Sequence, residues 1–138
     1  MSLLTIFQVA GSGMNAQNVR LNTTASNIAN AAAVASTPEQ AYKSRQPVFS
    51  TYIDRFTNMN NQSAGVKVDR IIESQQEHSK RFEPGNPLAN EEGYVYQSNV
   101  DIIEEMTNMM VASRNYESNV EMLNTARDLM LRTLQLGQ

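Results

Sequence analysis

Few side chains in this sequence have the type and spacing that catalysis or metal binding requires. His78 is the only histidine, and the chain contains no cysteine that could join it. Because a metal site or a nucleophile–base pair needs several converging donors, a solvated loop position is the better interpretation of His78. The sequence therefore offers no pair of groups that could perform nucleophilic or metal-assisted chemistry.

The remaining candidates for chemistry are two pairs of adjacent carboxylates and a pair of glycines near the N-terminus. Glu91–Glu92 and Glu104–Glu105 are sequence neighbours, and neighbouring side chains diverge around a helix rather than converge on one ligand. Gly11 and Gly13 follow no strand and precede no Lys-Ser or Lys-Thr pair, so they do not match a phosphate-binding loop. We predict that the chain is not an enzyme and has no catalytic residues, no metal ligands and no cofactor.

Length, hydropathy and charge indicate a small soluble protein of one domain. The 138 residues are enough for one domain, and no run approaches the roughly 20 apolar residues of a membrane-spanning helix. The 11 basic residues are scattered and outnumbered by 14 acidic ones, which argues against nucleic acid as a partner. The first basic residue is Arg20, so we expect a cytosolic protein or one exported without a cleaved signal.

The strongest regularity is a seven-residue repeat of apolar positions at both ends of the chain. Such repeats are typical of helices that pack along a seam. We predict two long terminal helices whose seams pack against each other, against other copies, or both. The predicted packing positions are Phe7, Met14, Leu21 and Ile28 in the first helix and Ile102, Met106, Met109, Tyr116, Val120, Leu123, Met130 and Leu134 in the second.

The predicted N-terminal helix is poor in charge. Arg20 is its only charged residue before Pro38, and the other polar residues are uncharged. A solvated helix normally carries charges on its outer face, whereas uncharged amides suit a helix enclosed by protein. We hypothesise that asparagines of this helix, including Asn27 and Asn30, fix the register between neighbouring subunits.

The middle of the chain carries extended and turn signals. Ala41–Tyr52 is expected to be extended or turn-like, Gly65–Ile72 alternates as a strand does, and Asn99 or Ser98 is the expected N-cap of the last helix. The predicted fold is mainly α, a coiled-coil-like hairpin of the terminal helices with a small irregular or β middle segment. The predicted divisions are an N-terminal helix (1–36), a middle loop or β segment (37–98) and a C-terminal helix (99–138).

Several segments together resemble the flagellar rod and hook axial protein family. The run Glu105–Val120 resembles the C-terminal box of that family, and Tyr42–Phe49 and Pro84–Asn90 resemble its proximal-rod members. The N-terminal A-x-N-I-A-N box of the family is matched by Ala25, Ser26, Asn27, Ile28, Ala29 and Asn30.

This resemblance implies a structural subunit of the flagellar basal-body rod, the drive shaft that transmits torque from motor to hook. It also implies a place in the periplasmic rod, reached through the flagellar type III export apparatus without a cleaved signal. The implied partners are the rod proteins FlgB, FlgF and FlgG, the protein FliE, the export apparatus and further copies of the chain.

A cytosolic coiled-coil adaptor or regulator is the alternative function, because it would have the same seams without export. The alternative predicts a stable soluble oligomer with folded ends. Export followed by assembly predicts ends that are partly disordered before assembly, which suits passage through a narrow channel.

Overall fold

The computed structural model describes residues 3–54 and 63–136. In this part of the chain no helix has both the length and the apolar character needed to cross a membrane. The elements in chain order are helix α1 (Leu3–Ala29), strands β1 (Val34–Ala35), β2 (Arg45–Asp54), β3 (Ser63–Glu73), β4 (Lys80–Phe82) and β5 (Tyr94–Gln97), and helix α2 (Ile102–Leu136).

The middle of the chain forms two antiparallel sheets, so the predicted mainly α fold was wrong. Strands β2 and β3 are 10 and 11 residues long and pair along their whole length, and β1, β5 and β4 form a second sheet in that order. Ala41–Tyr52 was expected to be extended or turn-like, and the strand observed there, β2, contains Pro47. Pro47 is accommodated because β2 has a partner on one side only, so its missing N–H breaks no ladder on the other side.

Helix α1 is the central element of the fold. Helix α2 packs on one side of α1, and the β2–β3 hairpin packs on another. The Ser12 hydroxyl accepts a hydrogen bond from the Val66 N–H at 3.1 Å, and the Arg20 guanidinium lies 4.7 Å from the centre of the Phe49 ring. The residues of α1 that stay exposed beside these neighbours are uncharged, among them Gln8, Asn15 and Asn22, so contacts within the chain do not account for the lack of charge.

Helix α2 begins with Asp101 as its N-cap, so the expectation of Asn99 or Ser98 was wrong. The Asp101 carboxylate accepts hydrogen bonds from the N–H groups of Ile103 at 2.8 Å and Glu104 at 3.2 Å. The Asn99 side chain is engaged elsewhere, because it accepts from the Ser44 N–H at 2.7 Å. All these residue types can cap a helix, so tertiary contacts decide which one does.

The turn between β4 and β5 is held by side chains and by one glycine. Asn86 donates to the Glu83 carboxylate at 3.0 Å, and this hydrogen bond, with a second from Arg81, lowers the pKa of Glu83. These hydrogen bonds stabilise the folded turn above the ordinary pKa of a glutamate. This stabilisation is lost as the pH falls through the lowered pKa of Glu83. Gly93 has a φ of +81°, and a Cβ there would lie 2.9 Å from the Phe82 ring.

We expect Gly93→Ala to lower the free energy of unfolding by at least about 1–2 kcal/mol, because its φ is unfavourable for a residue with a Cβ. Gly85→Ala is the matched control in the same turn, since a Cβ at Gly85 meets no atom within 4 Å. Urea unfolding of the two variants makes the comparison. Equal free energies of unfolding for the two variants would contradict the strain expected of an alanine at position 93.

Candidate functional site

The two helices pack antiparallel along a seam of small and polar side chains. The Asn27 amide nitrogen lies 2.7 Å from the Glu105 carboxylate, and a Cβ on Gly13 would lie 3.1 Å from the Asn119 amide nitrogen. These two contacts fix the register. On α2 the facing positions recur every seven residues, at Glu105, Ala112, Asn119 and Ala126.

The predicted apolar packing positions lie beside this seam rather than on it. The structure leaves four of them exposed, and their role in contacts between subunits stays a prediction. The exposed positions are Ile102, Met106, Tyr116 and Leu134. The half-buried positions are Phe7, Met14, Leu21, Ile28, Met109, Val120, Leu123 and Met130.

Asn27 is the centre of a buried polar network. Its side chain is 0 % exposed, and its amide nitrogen donates to the Glu105 carboxylate at 2.7 Å and to the Arg45 carbonyl at 2.8 Å. Its amide oxygen accepts from the Arg45 N–H and from the Tyr42 hydroxyl, each at 3.0 Å. One side chain therefore joins α1 to α2 and to the start of β2.

Ser44 extends this network to the remaining elements. Its hydroxyl donates to the Glu105 carboxylate at 3.2 Å, and its carbonyl accepts from the Ser74 N–H at 2.7 Å. Its own N–H donates to Asn99 at 2.7 Å. We refer to Asn27, Tyr42, Ser44, Asn99 and Glu105 as the Asn27 network.

Glu105 makes the Asn27 network costly to disturb. This residue is 5 % exposed, and within residues 3–54 and 63–136 no basic side chain forms an ion pair with it. Its hydrogen-bond donors are the neutral side chains of Asn27 and Ser44. Removing a donor from a buried carboxylate leaves the group without compensation for its lost hydration.

The other residues of the predicted axial motif have smaller roles inside the chain. Ser26 lies 3.4 Å from the Tyr42 hydroxyl, and Asn30 donates to the Ser26 carbonyl within α1 at 2.8 Å. Ala25 and Ala29 are exposed, and Ile28 is half-buried. The hypothesis that Asn27 fixes the register between subunits did not foresee its hydrogen bonds within its own chain, which the structure shows.

The residues considered for chemistry do not come together. The expectation of a solvated His78 was wrong, because His78 is half-buried with its Nδ1 2.9 Å from the Gln97 carbonyl oxygen. Glu104 is exposed while Glu105 is buried, so the two carboxylates diverge. The described residues contain no group of three or more His, Asp and Glu side chains that could hold a metal ion.

Large apolar side chains point away from the helix seam, along the outside of α2. Ile103, Met106 and Met110 follow one another at spacings of three and four residues and are all exposed. We refer to these three residues as the α2 patch. Exposed apolar patches are typical of surfaces that bind other molecules, other proteins among them. The fold thus defines a subunit of a larger assembly, in which polar groups hold the chain together and apolar groups remain for its neighbours.

Comparison with known proteins identifies the assembly. Residues 7–33 match the family model described as flagella basal body rod protein, and residues 91–136 match the model of the flagellar basal body rod FlgEFG protein C-terminal region. The chain is 49 % identical to the flagellar basal-body rod protein FlgC of Salmonella typhimurium and 40 % identical to that of Buchnera aphidicola from Acyrthosiphon pisum. Each alignment covers 100 % of both chains. The chain therefore belongs to the flagellar basal-body rod protein FlgC family.

Membership of this family confirms the predicted function. The chain is a structural subunit of the flagellar basal-body rod, not an enzyme, and it assembles with other rod components in the basal body. The alternative of a cytosolic adaptor or regulator is set aside by the same relatives, which match over the full length.

We expect Asn27→Leu to lower the free energy of unfolding by about 3–5 kcal/mol, since it leaves a buried carboxylate and a buried N–H without their partners. Asn30→Leu is the matched control and should cost about 1 kcal/mol, because it loses one hydrogen bond. Urea unfolding followed by circular dichroism measures both. Losses of the same size in the two variants would show that the Asn27 network is not a special source of stability.

Proposed function

We propose that the terminal segments, 1–36 and 99–138, form the wall of the rod and that the middle segment, 37–98, faces outward. In this proposal α1 and α2 pack side by side with helices of neighbouring subunits and carry torque from the motor towards the hook. The observation that supports it is the α2 patch, which has no cover within the described chain. Burial of these side chains by a neighbouring subunit favours association, because it removes apolar surface from water.

Torque transmission also requires a subunit with little internal freedom. The Asn27 network supplies this property, because it ties both helices to the start of β2 and to the residue that follows β3. The Ser12–Val66 hydrogen bond holds the β2–β3 hairpin against α1 further along the helix. A rotation of the helix pair would therefore carry the hairpin with it.

We further propose that the partners are FlgB, FlgF, FlgG, FliE and further copies of this chain, in the periplasmic part of the basal body. The C-terminal match is to a model that is named for FlgE, FlgF and FlgG, which supports a common mode of helix packing for residues 91–136. In this account the flagellar type III export apparatus delivers the chain without a cleaved signal.

We expect Met110→Glu to abolish rod assembly without lowering the stability of the free chain, because Met110 is 58 % exposed. A charge at this position would have to be buried without a partner when a neighbouring subunit covers the α2 patch. The measurement is swimming in soft agar, with the amount of the variant in purified basal bodies, in cells that lack the wild-type protein.

Leu88→Glu is the matched control for this charge substitution. Leu88 is 47 % exposed and lies in the turn between β4 and β5, away from the α2 patch. Cells with Leu88→Glu should swim normally. Normal swimming of the Met110→Glu cells would refute the assignment of the α2 patch to the rod wall.

A further inference from the structure

A second apolar surface lies between α1 and the β2–β3 hairpin. It is a groove of about 620 Å³, and we refer to it as the α1–hairpin groove. Among the described residues that line it, Lys67 is the one with a charged side chain. Its apolar lining comes from Phe7, Gly11 and Val19 of α1 and from Tyr52, Val66 and Val68 of the hairpin.

Gly11 lies in the wall of this groove, although the fold of the chain does not require a glycine there. Gly11 is inside a helix, where glycine is less stable than alanine, and a Cβ would meet no atom within 4 Å. Gly13 differs, because its Cβ would press on the Asn119 side chain at 3.1 Å. The open space at Gly11 lets a side chain from outside approach the backbone of α1 closely.

The C-terminal end of α2 carries apolar side chains that stay exposed within the described part of the chain. The register that sets Gly13 opposite Asn119 carries the last turns of α2 about 10 Å beyond Leu3, the first described residue of α1. Leu131 and Leu134 are exposed there, and residues three positions apart lie on one face of a helix. Because α2 is continuous to Leu136, this end cannot fold back into its own groove.

We propose that the α1–hairpin groove receives Leu131 and Leu134 of a second copy of this chain. The apolar groove and the apolar helix end are complementary, and among residues 3–54 and 63–136 no side chain fills either of them. The contact is head to tail, since it joins two different surfaces, and such contacts repeat into helical arrays instead of closing as pairs. This proposal rests on the proposed function in the rod and names one contact between its subunits.

Disulfide trapping tests this contact, because the chain has no cysteine of its own. The variant combines Gly11→Cys with Leu134→Cys and is expressed in cells that lack the wild-type protein. Mild oxidation of purified basal bodies should give a ladder at multiples of 15.4 kDa that collapses on reduction. Each single substitution should give no ladder, since the disulfide needs both surfaces.

The control pair joins Leu134→Cys with Gly85→Cys. Position 85 has the same open space as position 11 but lies in the β4–β5 turn. Swimming cells whose basal bodies give no ladder with the Gly11 pair would overturn this contact while leaving the role in the rod intact. A ladder of equal strength from the control pair, or a single adduct with another rod protein, would overturn it as well.

A second variant keeps the test decisive if the cysteine pair fails to assemble. Gly11→Leu should leave the Tm of the free chain unchanged or raised, because it improves helix propensity in open space. It should nevertheless stop swimming, since it fills the groove. Adding Leu134→Ala should restore part of the swimming by making room. Normal swimming of Gly11→Leu, or no restoration by the second change, would contradict the proposal.

Discussion

The structure depends on one constraint, which is that the buried carboxylate of Glu105 must be hydrogen-bonded inside the chain. Its donors are Asn27 and Ser44, so α1, α2 and the start of β2 have to meet at one point. The amide of Asn27 also accepts the Arg45 N–H, which fixes the direction in which β2 leaves this junction. Removal of one group leaves the others without their hydrogen-bond partners. The network therefore behaves as a unit.

Because polar groups hold the helices together inside the chain, the large apolar side chains are not needed for folding and are available for contacts in the proposed rod. Small and polar side chains such as Ala112 and Asn119 occupy the internal seam, so the helices approach closely. Larger side chains, including Met110 and Leu134, are left on the outside of α2 and at its end. In the proposed rod, neighbouring subunits bury these side chains, and assembly then adds a hydrophobic contribution that the single chain lacks.

The terminal helices and the family were predictable from the sequence, because both are carried by local patterns. The apolar heptads marked the helices, and the two boxes marked the rod family. The long pairing of β2 with β3 was missed, because an extended pattern over residues 41–52 does not show which segment pairs with it. The seam was missed for another reason. Asn27 and Glu105 are 78 positions apart and neither is apolar, so hydrophobic periodicity shows neither the residues nor their pairing. The seven-residue recurrence of Glu105, Ala112, Asn119 and Ala126 was the one signal that could have revealed it.

The central claim is that Asn27 and Glu105 stabilise the fold through each other. A double-mutant cycle with Asn27→Ala and Glu105→Ala measures this coupling directly from urea unfolding of the four proteins. We expect the two losses not to be additive and the coupling energy to be at least about 1 kcal/mol. Losses that add within about 0.5 kcal/mol would contradict it, because independent sites behave in that way.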